Sequence, residues 1–232
     1  MTIALPFPRK PPEAHVATTA SVARWYATGL GWAVAEAPRP PRTAPAPPGA
    51  PSAAPCVDLL TGLRFDVLDV PADAGAAVLR QAGPTGPLGP LGPVALHGER
   101  MRLLVAAGSA DEVPGLLQWL EWGGVTLDLS AVGAGGRTAA PVPPGWSGAQ
   151  GVAVWLRPPV PGREVEPTLP ALAPFGRGAG ADGDPGSVRG PDLVRLLDTL
   201  ATECHRARLL RANARAAPAG TYEYAAGEYP SD

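Results

Sequence analysis

Hydrophobic positions recur at helical spacing in four stretches of the chain. Val22, Trp25, Tyr26 and Leu30 form a stripe that predicts a helix over 17–30, capped by Thr19 or Ser21 and ended by Gly29 and Gly31. Pro71 opens a second over 72–82, closed by Gly83. A third spans 109–122, with Ser109 as N-cap and Glu112 three residues on, the spacing of a capping box. The longest covers 191–215, where Leu193, Leu196, Leu197, Leu200, Cys204 and Ala207 share one face. Short apolar runs predict strands at 32–36, 57–60, 65–70, 93–96, 101–106, 125–129, 137–140 and 152–156. The pair 57–60 and 65–70 brackets a turn at Thr61-Gly62, and 93–96 and 101–106 bracket another at His97-Gly98-Glu99. Strands and helices mix without a regular βαβ repeat. That predicts an α+β fold, a single domain with one mixed or mostly antiparallel sheet flanked by helices, plus a C-terminal amphipathic helix.

Composition adds long irregular segments to this picture. The 232 residues include 29 Gly and 31 Pro, near the level at which low-complexity stretches are expected. They gather in an irregular leader (1–16), a polyproline-like linker (38–55) inside the domain (17–157), a Pro/Gly-rich linker (158–188) ahead of the C-terminal helix (189–216), and a loose tail (217–232). A net charge of −2 argues against strong non-specific binding to nucleic acid but leaves room for a local basic patch. Cys56 and Cys204 make neither a disulfide framework nor a zinc motif. No apolar run has the length of a signal peptide or a membrane helix, so the expectation is a soluble, cytoplasmic protein with no membrane partner.

One strand carries most of the chemistry. Phe65-Asp66-Val67-Leu68-Asp69-Val70-Pro71 is an apolar strand with an acid near its end and a proline two positions on. With Ala23-Arg24-Trp25-Tyr26…Gly31-Trp32-Ala33-Val34, Gly98-Glu99-Arg100-Met101-Arg102-Leu103-Leu104 and Gly124-Val125-Thr126-Leu127-Asp128-Leu129…Gly135-Gly136-Arg137, it resembles, in order, the motifs of the bifunctional DNA primase/polymerase (Prim-Pol) N-terminal domain family of the archaeo-eukaryotic primase superfamily, over roughly 20–157. The resemblance implies a nucleotidyltransferase ancestry, with Mg²⁺ or Mn²⁺ as cofactor if the chain is active and none otherwise. In that family three acids hold divalent ions that align the attacking and leaving oxygens of an in-line displacement.

Residue by residue, Asp69 falls on the first acid, Pro71 replaces the second and Asp128 falls on the third. Asp66, three residues from Asp69, points to the other face of a regular strand. The family's triphosphate-binding histidine falls at or near Met101 and is missing. Asp69 and Asp128 are thus the candidate catalytic and metal-binding residues, and Arg100, Arg102 and Arg137 the candidate phosphate contacts. The resemblance implies a primase/polymerase-like domain with a degenerate metal site and weak or no nucleotidyl transfer. The alternative is a non-catalytic scaffold or regulator. Its partner would be a nucleotide or DNA, or a protein held through the C-terminal helix.

Other groups admit two readings each. Arg206, Arg208, Arg211 and Arg215 either complement the dipole at a helix C-terminus or form a nucleic-acid footprint. Trp119 and Trp122 fit a core position, whereas Trp146 is the better placed for stacking on a base. Cys204 lies on an apolar helix face and reads as a buried thiol.

Overall fold

A computed structural model describes residues 16–35, 57–147, 152–172 and 192–216. Leader residues 1–15, the 38–55 linker, linker residues 173–188 and the tail lie outside the described residues. The chain has an α+β fold built on two antiparallel sheets, where the pattern predicted one.

The larger sheet contains β3 (Phe65–Pro71), β4 (Val94–His97), β5 (Arg100–Ala106), β6 (Ser130–Val132) and β8 (Val154–Arg157), in the order β6-β3-β5-β4-β8. Helix α2 (Ala72–Gln81) links β3 to β4, and α3 (Ser109–Trp119) links β5 to β6. β3-α2-β4-β5-α3-β6 with this strand order is a ferredoxin-like βαββαβ unit, to which β8 adds an edge strand. The smaller sheet is β1 (Val34–Ala35), β2 (Asp58–Leu60) and β7 (Arg137–Ala139), in the order β1-β2-β7. β2 and β3 therefore belong to different sheets and do not form the expected hairpin. Gly62 makes the break between them: its φ is +86°, and a Cβ there would lie within 3 Å of Ala134.

Strand alternation divides the core in two. Leu68, Val70, Met101, Leu103 and Val105 face the helices. Phe65, Val67 and Leu104 face Tyr26, Trp32 and Leu59, from the N-terminal helix and the smaller sheet. Helix α1 (Thr19–Arg24) passes into a wider π-type turn over Trp25–Leu30 and stops at Gly31, whose φ is +66°. Thr18, and not Thr19 or Ser21, is its cap: Thr18 Oγ1 accepts the Ser21 N–H, and Ser21 Oγ accepts the Thr18 N–H.

The C-terminal helix α4 (Leu193–Ala216) packs against both α2 and α3 over the helix face of the sheet. Leu193, Leu196, Leu197, Leu200 and Cys204 are fully buried there, as the leucine stripe predicts. Each buried leucine contributes on the order of 2 kcal/mol of transfer free energy, so α4 is part of the core. Residues 158–172, expected to be an irregular linker, lie against the body and bury Val165 and Leu169.

Two elements differ from expectation for non-local reasons. The ladder expected at 125–129 forms instead at 130–132, paired with Val67–Asp69, while Leu127 and Leu129 turn into the helix-side core. Asp128 consequently lies in an irregular segment and not on a strand. Ser109 sits inside α3 and does not cap it; the cap residue is Gly108, and the Ala110 N–H donates to Asp66 Oδ2 at 2.9 Å. Asp66 is fully buried on the helix face, opposite to Asp69.

Candidate functional site

Register builds the site. In the β3–β5 ladder Asp69 opposes Arg102 and Pro71 opposes Arg100. On the other side of β3, Asp69 opposes Ser130, and Asp128 lies two residues before it. Positions 69, 71, 100 and 102 share one face of the sheet, the face whose other end carries Phe65 and Val67. One face thus runs from an aromatic core to a charged end. Pro71, on the same face, has no polar side chain to fill the gap between Asp69 and Asp128.

Arg100 fills it. Its Nε donates to Asp69 Oδ1 at 2.5 Å, its Nη1 to Asp128 Oδ1 at 2.6 Å, and its Nη2 to the Asp69 carbonyl at 3.0 Å. Arg102 Nε donates to the remaining carboxylate oxygen, Asp69 Oδ2, at 3.0 Å. Two carboxylates and two guanidiniums therefore cancel in charge. Asp69 is the most enclosed member at 16% side-chain exposure, and Asp128 the least at 51%. Burial works against the charge on Arg100, but its hydrogen bonds to Asp128 and Asp69 outweigh that and hold the guanidinium above its ordinary pKa.

This arrangement does not fit a resident Mg²⁺ or Mn²⁺. Both Asp69 oxygens already accept guanidinium N–H groups. A hard divalent ion wants oxygen ligands at about 2.0–2.1 Å in near-octahedral array. No group of three or more His, Cys, Asp or Glu among the described residues could supply them. The cation that joins the two acids is an arginine side chain.

The other sequence candidates are placed as follows. Arg137 lies on β7 of the smaller sheet and is exposed, while its neighbour Thr138 points between the sheets with Arg102, so Arg137 stands apart from the cluster. Met101 is buried on the helix face. Arg208 Nη1 donates to the Thr126 carbonyl at 2.5 Å, and Arg211 to the Ala207 carbonyl at 3.2 Å with Asp73 3.9 Å away. These two arginines serve backbone carbonyls at the end of α4. Cys204 is fully enclosed, its Sγ 3.8 Å from the Asp128 carbonyl. Burial, with the Asp128 charge behind it, pushes that thiol up to about 12.

The tryptophans exchange roles. Trp119 is 72% exposed and Trp146 is partly buried against the aromatic core. Helical spacing alone could have flagged Trp119, since it lies on the stripe of Glu112 and Gly115, away from buried Val113. Trp122 donates from Nε1 to Asp198 Oδ1 at 3.0 Å and lies beside His205.

No protein-family model, no curated protein and no solved structure matches the chain. No helix among the described residues is long and apolar enough to cross a membrane.

Proposed function

We propose that this chain is a primase/polymerase-like domain in which a guanidinium stands where that family holds its catalytic cation, and that it serves as a non-catalytic scaffold for a nucleic acid or a protein. One observation carries this: Arg100 spans Asp69 and Asp128 with hydrogen bonds of 2.5 and 2.6 Å. The two acids that the resemblance assigns to metal converge at one end of a ferredoxin-like sheet, and the positive charge between them belongs to the protein. A guanidinium can keep two carboxylates together and satisfied. It cannot polarise a triphosphate while also lowering the pKa of a primer hydroxyl, because it supplies no open coordination position. Pro71 removes the second acid of the strand pair, and Met101 the histidine. What remains is a shaped, charge-balanced end of a sheet.

Nucleotide incorporation on primed and unprimed single-stranded templates, with Mg²⁺ or Mn²⁺ and with Asp69→Ala as control, tests the proposal. The expected result is no incorporation by folded wild-type protein. Incorporation that disappears in Asp69→Ala would overturn it and establish a two-acid nucleotidyltransferase.

A further inference from the structure

The outward faces of α3 and α4 carry opposite charge. Between Arg102 and Arg137 the sequence holds four acids and no lysine, arginine or histidine. Three of them, Asp111, Glu112 and Glu121, are exposed on or just after α3, and none makes an ion pair among the described residues. Trp119, 72% exposed, lies on the same stripe as Glu112 and Gly115, and nothing stands within 4 Å of the place a Gly115 Cβ would occupy. This is an open acidic face with an aromatic at its centre.

Helix α4 turns its leucines inward, and its opposite stripe runs through Arg195, Thr202, Arg206 and Leu210, all exposed. Leu209 and Leu210 are 50% and 62% exposed. The two acids on this part of α4 are engaged within the chain: Asp198, exposed on the outward stripe one turn after Arg195, accepts from Trp122, and Glu203 is buried against Gln81. Arg195 donates to the neutral Pro87 carbonyl, and Arg206 lies 3.7 Å from Glu203. The outward stripe of α4 thus carries Arg195, Arg206 and the exposed leucines against a single acid, Asp198, and its net charge is positive.

The two stripes match in length and direction. Arg195 and Arg206 are about 16 Å apart along α4, and the 11 residues of α3, which carries Asp111 and Glu112 in its first turn and ends just before Glu121, also span about 16 Å. α4 begins beside Ala171, whose neighbour Pro170 accepts from Ala106 at the end of β5, and α3 begins just after β5. At the far end Trp122 meets Asp198 and His205. The helices thus start at the same end of the sheet and run the same way.

We infer that this surface is a twofold interface between two copies of the chain, α3 of each covering α4 of the other. A twofold axis parallel to adjacent parallel helices places each stripe on its complement twice. Glu121 meets Arg206, Asp111 and Glu112 meet Arg195, and Trp119, between these two pairs, packs beside Thr202. The occupant is a second copy because this chain supplies both halves of the match. The inference is independent of the function proposed above.

Sedimentation equilibrium of the full chain at low and high salt tests it, with circular dichroism to show that each variant is folded. The wild type is expected to dimerise, more weakly as salt rises. Arg195→Glu/Arg206→Glu and Glu112→Lys/Glu121→Lys are each expected to weaken the dimer by about tenfold or more. Mixed in equal amounts, the two variants are expected to form a heterodimer, since every reversed charge then meets its opposite. A wild type monomeric at about 100 μM, well above the affinities typical of specific dimers, would overturn the inference. So would a dimer indifferent to both charge reversals, or a mixture of the variants that stays monomeric.

Discussion

Arg100 donates from Nη1 to Asp128 Oδ1 at 2.6 Å while its Nε holds Asp69 at 2.5 Å, so one side chain on β5 ties an acid of β3 to an acid outside the sheet ladder. Among the described residues, removing it leaves Asp69 with Arg102 alone and Asp128 with no cation. Arg100→Ala is expected to destabilise by about 1–2 kcal/mol, the modest end of the range because Arg100 and Asp128 are partly exposed. Arg100→Lys keeps the charge but cannot span both carboxylates, and should recover less than half of the loss. Urea midpoints of the three proteins check this. Full recovery by lysine would show that only charge matters there.

Asp66 does the work first ascribed to Ser109. Its carboxylate is fully buried and accepts the Ala110 N–H in the first turn of α3. Asp66→Ala leaves that donor orphaned and opens a small cavity, with an expected cost of about 1–2 kcal/mol. Asp66→Asn retains an acceptor of the same size and should cost less. Ser109→Ala should cost little by comparison, and a ranking with Ser109→Ala worst would return the cap to Ser109.

Glu121 occupies the left-handed region, φ +67°, just past the end of α3. The Trp122 N–H reaches back to the Leu117 carbonyl and the Glu121 N–H to Gln118, the Schellman pattern that usually has glycine at this place. Glu121→Gly should relieve the strain and raise stability by about 1 kcal/mol. Thermal unfolding reports it; a lower midpoint would mean that the Glu121 side chain contributes more than its backbone costs.

Cys204 offers a pH test. Burial raises its folded pKa to about 12, above the ordinary thiol value near 9. The folded state therefore keeps the proton longer than the unfolded chain does, and stability should hold up to about pH 9 and fall between about 9 and 12. Cys204→Ala should flatten that part of the profile. In native protein at pH 8 the thiol should resist alkylation until the chain unfolds, as mass spectrometry of the Cys204 peptide would show.

Local pattern made α4 legible, because the leucine stripe needs only the helix period to be seen. The bounds of β3 and β5 were legible to within one residue from their short apolar runs. What the pattern missed depends on register between distant segments. Val125, Leu127 and Leu129 alternate like a strand, yet β3 has room for a partner only at 130–132, so Leu127 and Leu129 serve the helix side. The cap on α3 comes from a residue 44 positions away. Asp69 and Asp128 were nameable by resemblance, but the clasp by Arg100 was not. It appears only once Asp69 is set opposite Arg102 and Pro71 opposite Arg100.

A Mn²⁺ titration followed by thermal unfolding, on the wild type and on Arg100→Ala, tests most directly whether a guanidinium holds the place of a metal. The wild type should show no shift in Tm with Mn²⁺. Arg100→Ala, with Asp69 and Asp128 freed, should gain a shift of about 2–5 °C at saturating ion, lost again when Asp69→Ala is added. A wild-type shift abolished by Asp69→Ala would contradict the account, because the site would then hold a metal with Arg100 in place.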